Sequence, residues 1–114
     1  MSTIPLPDML REMEIQDIVQ RIVRHIKPDK IIVFGSYAKN TATLKSDLDL
    51  FIVKNSEMPM SLRAANIKPL VAHLLIHVDI HVYTPEEIEA YSQEEFCFVK
   101  SVMQTGRVVF DNSK

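Results

Sequence analysis

Hydrophobic residues follow two different periods along this chain. Ile15, Ile18, Val19, Ile22, Val23 and Ile26 recur every three or four residues, the spacing of one apolar stripe on an amphipathic helix. Asp8 offers a capping side chain ahead of it, and Lys27-Pro28 closes it. Lys30–Phe34 (KIIVF) and Leu48–Val53 (LDLFIV) are instead short, β-branched-rich runs, as buried strands are. His77 to Tyr83 alternates, with Val78, Ile80 and Val82 on one side and His77, Asp79, His81 and Tyr83 on the other, which predicts a third strand. Met60, Ala64, Ile67, Leu70, Val71 and Leu74 share a helical phase. Pro69 interrupts it, so a kink or a restarted helix is expected there. Thr84-Pro85-Glu86-Glu87 combines a cap, a first-turn proline and a glutamate three residues on. Ser92-Gln93-Glu94-Glu95 repeats that logic ahead of a helix carrying Phe96, Val99 and Met103. Gly106 stops that helix, and Arg107 to Phe110 reads as a short last strand.

The expected order is helix, strand, short helix, strand, helix, strand, helix, helix, strand. That is an α/β (α+β) chain with a short mixed sheet flanked by helices. Residues 8–114 read as one domain and residues 1–7, with Pro5 and Pro7, as a flexible arm. Length and composition agree: 114 residues, 46% apolar and 25% charged, suit one soluble globular domain. A net charge of −2 makes nucleic acid an improbable partner, and no apolar run is long enough for a membrane span. The single cysteine, Cys97, forms no internal disulfide and fits a cytoplasmic setting; between two phenylalanines it reads as a small buried hydrophobe.

The chemistry concentrates in FGSYAKNTATLKSDLDLFIV, Phe34 to Val53. One of the chain's two glycines, Gly35, follows the first strand. With Ser36 it forms a strand-to-helix turn, expected to lead into a short helix over Tyr37 to Asn40. Such a turn lets backbone N–H groups meet an anion, although an ordinary tight turn explains Gly-Ser as well. Asp47 and Asp49, two apart on a strand, lie on one face roughly 6.8 Å apart at the backbone. Carboxylates so placed can converge on one or two divalent cations, for which hard oxygen ligands suit Mg²⁺, or can simply form the solvated polar face of a half-buried strand. Asp79 joins them if the second and third strands are neighbours. Lys39 and Lys45 are candidate phosphate partners or plain surface lysines. His77 and His81 flank Asp79, but at i and i+4 on a strand they are roughly 13 Å apart, too far to share an ion. Structural or surface roles are expected for both.

Gly-Ser, a ten-residue gap, Asp-Leu-Asp and a later Val-Asp-Ile resemble the polymerase-beta-like nucleotidyltransferase superfamily. The wider stretch looks most like its minimal nucleotidyltransferases, the MNT class, small proteins paired with a HEPN-domain partner as toxin and antitoxin. The resemblance implies that Gly35 and Ser36 hold a triphosphate. It implies that Asp47, Asp49 and Asp79 bind two Mg²⁺, with Asp79 also helping to activate the attacking hydroxyl. Asn40 and Lys39 stand where many relatives have glycine and arginine; asparagine tolerates a left-handed turn, and lysine loses the bidentate phosphate grip. The expected function is transfer of AMP from ATP to a hydroxyl, plausibly a tyrosine of a HEPN toxin. The alternative is an antitoxin that neutralises its partner by stoichiometric binding. A glycosyltransferase using Asp-x-Asp ranks last, since such folds need longer chains.

Overall fold

The computed structural model describes residues 8–39, 42, 46–72, 74, 77–94 and 97–112. Helix α1 (Asp8–Ile26) leads into β1 (Lys30–Phe34) and a single 3₁₀ turn, Gly35–Tyr37. Strand β2 (Leu48–Val53) follows, then a broken helical segment: α2 (Met60–Arg63), a 3₁₀ turn (Ala64–Asn66) and α3 (Lys68–Val71). The chain continues through β3 (Val78–Tyr83), α4 (Pro85–Tyr91), α5 (Phe98–Thr105) and β4 (Arg107–Asp111). This is the expected α+β order with a mixed sheet. The helix interrupted around Pro69 restarts as α3, where proline occupies the first turn and its missing N–H is not needed.

The four strands lie in the order β3-β2-β1-β4. β1 runs antiparallel to both β2 and β4, while β2 and β3 are parallel. A parallel pair needs a crossover, and the broken segment α2–α3 supplies it. Strand alternation then sends side chains to two cores. Ile31, Val33, Leu48, Leu50, Ile52, Val78, Ile80 and Val82 pack with Ile15, Ile18, Val19 and Ile22 of α1 and Val71 of α3. Ile32, Phe51 and Val53 pack on the opposite face with Val99 and Val102 of α5 and Ile88 of α4. Each fully buried Ile, Leu or Val stabilises by about 1.5–3 kcal/mol. Both faces are therefore covered, which explains why β2 is buried continuously from Leu50 to Val53.

Three local expectations are corrected. Asp8 is the first residue of α1 rather than the residue before it. Ser92 does not start the last helix: it ends α4, and α5 begins at Phe98 with Cys97 as its N-cap. Cys97 is accordingly half-buried and polar in its contacts, its Sγ donating to the Tyr91 carbonyl (3.0 Å) and accepting from the Lys100 N–H (3.3 Å). The Thr84 capping box forms as expected, with Glu87 N–H donating to Thr84 Oγ1 and Thr84 N–H to Glu87 Oε1. The arm over residues 1–7, with Asn40, Lys45, Glu95 and Phe96, lies outside the described residues.

Candidate metal and phosphate site

The parallel pairing of β2 with β3 sets Asp49 beside Asp79, Phe51 beside His81 and Val53 beside Tyr83. These residues share one face of the sheet, so it passes from acidic at the strand starts to aromatic and then apolar at their ends. Phe34, Phe98, Phe51 and Tyr83 form the aromatic part, with His81 in ring contact with Phe34 and Phe98 (centroids 5.5 and 5.3 Å). His81 is thus built into the packing beneath α5. That bears out the structural role expected of it.

Asp47 stands just before β2 rather than inside it. The N–H of Leu48 donates to the carbonyl of His77 (2.9 Å), tying the approach to β2 to the approach to β3. The tie places His77 Nδ1 3.2 Å from Asp47 Oδ1 and 3.8 Å from Asp79 Oδ1. One ligand atom from each of Asp47, His77 and Asp79 falls within 4.8 Å of the others, close enough to hold one cation. His77 is largely exposed, Asp47 about half exposed and Asp79 partly buried. The closest cluster is therefore Asp47, His77 and Asp79 rather than the three aspartates. The spacing argument against a shared ion for His77 and His81 stands, but the imidazole finds its partners on the neighbouring strand. Only the register of β2 and β3 reveals that.

Asp49 lies deeper. Its carboxyl is held above the usual carboxylate range, first by burial and then by the charge of Asp79. His81 pulls the other way, while Asp47 and a hydrogen bond shared with Asp79 add to the rise. Among the described residues no lysine or arginine pairs with these acids, and a bound cation would supply positive charge there.

Gly35 adjoins the same carboxyl. Its φ is +75°, a left-handed conformation that glycine adopts freely. A Cβ there would stand 2.5 Å from Asp49 Oδ2. The glycine thus makes room for Asp49, a role beyond the phosphate approach expected of it. The helix expected over Tyr37 to Asn40 is replaced by the 3₁₀ turn, and the N–H groups of Ala38 and Lys39 both donate to the Gly35 carbonyl (3.1 and 3.2 Å). Those two donors are spent inside the turn. Ser36 stands within it beside the carboxylates' end of the sheet, and Lys39 is exposed at its close. Tyr37 is buried in the core against α1. A cavity of about 470 Å³ opens beside the acidic end, lined by Lys68, Val71, Leu74, His77, Val78 and Asp79.

The donor set fits a divalent cation: carboxylate oxygens with one imidazole nitrogen. No helix among the described residues is long and apolar enough to cross a membrane. A family model described as a nucleotidyltransferase domain matches residues 12–103. No curated protein matches the chain.

Proposed function

Because this chain belongs to the nucleotidyltransferase domain family, we propose that it transfers a nucleoside monophosphate, AMP from ATP, onto a hydroxyl of a partner protein. The observation that carries the reading is the register Asp49↔Asp79, with Asp47 next to it and Gly35 against Asp49. Asp47 and Asp79 would hold a divalent cation, Mg²⁺ as the sequence suggests, with Asp49 completing the acidic wall. Cations bound there would offset the triphosphate's charge and assist an in-line displacement at the α-phosphorus. Gly35 and Ser36 position the phosphates, and Lys39 at the close of the turn adds positive charge; Lys45 keeps the phosphate role that the sequence suggests for it. The acceptor hydroxyl approaches through the cavity beside Asp79, which accepts its proton; the new P–O bond forms as pyrophosphate leaves. Positioning and charge compensation account for most of the catalysis.

On this reading the acceptor hydroxyl belongs to a second protein. The MNT resemblance points to a HEPN toxin as that protein, with a tyrosine hydroxyl as target and cytoplasmic antitoxin action as the outcome. The test incubates the protein with α-labelled ATP, Mg²⁺ and an extract of its own cells, beside Asp47→Ala/Asp49→Ala. A labelled protein band present only with the wild type is expected. No band, while a partner co-purifies with both forms, sinks the transferase reading in favour of stoichiometric binding.

A further inference from the structure

We infer that His77 is a ligand of the cation held by Asp47 and Asp79, and that it turns this site toward a first-row transition ion such as Mn²⁺ over Mg²⁺. The inference rests on the reading of the acidic end as a cation site and concerns which cation it selects. Three observations carry it. His77 Nδ1 faces both carboxylates, at 3.2 Å from Asp47 Oδ1 and 3.8 Å from Asp79 Oδ1. The three ligand atoms fall in one cluster. The backbone bond from Leu48 N–H to the His77 carbonyl holds the imidazole's strand entry against that of Asp47.

The chemistry follows from ligand type. Mg²⁺ takes oxygen donors and gives up water reluctantly, so an imidazole adds little to its binding. Mn²⁺ accepts carboxylate and water as readily and binds nitrogen better, as later first-row ions do more strongly still. A site of two carboxylates and one imidazole therefore discriminates by its nitrogen. The side chain of His77 is 70% exposed, so removing it leaves the packing intact.

The test uses nucleotide-free protein and metal alone. Mn²⁺ binding is followed by electron paramagnetic resonance, with Mg²⁺ as competitor, for wild type and His77→Gln. Wild type is expected to hold Mn²⁺ about tenfold more tightly than Mg²⁺, and His77→Gln to lose about that factor for Mn²⁺ alone. Pulsed measurements should show imidazole ¹⁴N coupling to Mn²⁺ in wild type and none in the variant. Wild-type Mn²⁺ without ¹⁴N coupling, or an equal loss of both metals in His77→Gln, overturns the inference. Because no nucleotide is present, coupling supports the inference even if no nucleotidyl transfer is found. Its absence defeats the inference even if transfer is.

Discussion

Strand β3 carries a charged cluster at each end, and the two are opposites. At its far end Arg63 is nearly buried and fully engaged. It donates to Glu87 Oε1 and Oε2 (2.5 and 3.0 Å) and to the carbonyls of Val82 (3.2 Å) and Met58 (2.9 Å). Glu87 also serves the Thr84 cap, so α2, β3 and α4 are joined through one ion pair. At the near end three aspartates meet with one histidine and no lysine or arginine pairs with them among the described residues. The electrostatics answer in opposite directions. The hydrogen bond from Arg63 holds the Glu87 carboxyl below its usual range, whereas burial and like charge hold Asp49 above it. One cluster is complete within the chain and stabilises it. The other leaves Asp49 with a raised pKa and no lysine or arginine beside it among the described residues, the electrostatic pattern of a binding site rather than of a brace.

The contrast can be broken at either end. The largest effect is expected from Asp47→Asn/Asp49→Asn: transfer activity should fall roughly 10³-fold or more while the melting temperature stays at or above that of wild type. A large drop in melting temperature would show these carboxylates to be structural. Arg63→Ala leaves Glu87 without its partner and should cost about 3 kcal/mol, a melting temperature lower by roughly 12–20 °C. Metal binding at the other end should be unchanged, as read by Mn²⁺ titration. Gly35→Ala combines a left-handed backbone with a collision at Asp49 and should cost about 1–2 kcal/mol. It should also lose activity, which a purely conformational role would not require.

Acidity sharpens the comparison further. Glu87, with its folded pKa lowered, contributes stability above its unfolded pKa that is lost as pH falls through the folded value. Asp49, with its pKa raised, imposes a cost when ionised, present above its folded pKa and relieved as pH falls toward the ordinary carboxylate value. In metal-free buffer, Asp49→Asn should therefore stabilise at neutral pH with little change in strong acid, and Glu87→Gln should flatten the acid limb. Chemical denaturation across pH measures both. The smallest effect belongs to Thr84→Ala, about 1 kcal/mol for a lost cap.

Much of this was legible in the chain itself, for identifiable reasons. The bounds of β1 and β2 follow from local β-branched runs, and the Thr84 cap from a pattern contained in four residues. Asp49 and Asp79 stand out because aspartate is a poor strand former, and Asp47 because it precedes the strand in the Asp-Leu-Asp pattern. What escaped the sequence depended on contacts between distant segments. His77 gains its partners only through the β2–β3 register. Gly35 gains its second role only because β1 pairs with β2 to bring Phe34 opposite Asp49. The Ser92 box was misleading because a local capping pattern competes with tertiary packing, and Cys97, joined to Tyr91, sets the start of α5 instead.

The sheet order also bears on how the chain is made. β1 is the second element to leave the ribosome, yet β4, its partner on one side, is the last strand. Until residues 107–111 emerge, the apolar strand Ile31-Ile32-Val33 presents an unpaired edge, a template for pairing with other nascent chains. α5, which covers Ile32 and Phe51, arrives only shortly before. The sheet is therefore complete only once β4 has been made, and truncation before β4 should yield aggregates rather than a smaller folded domain.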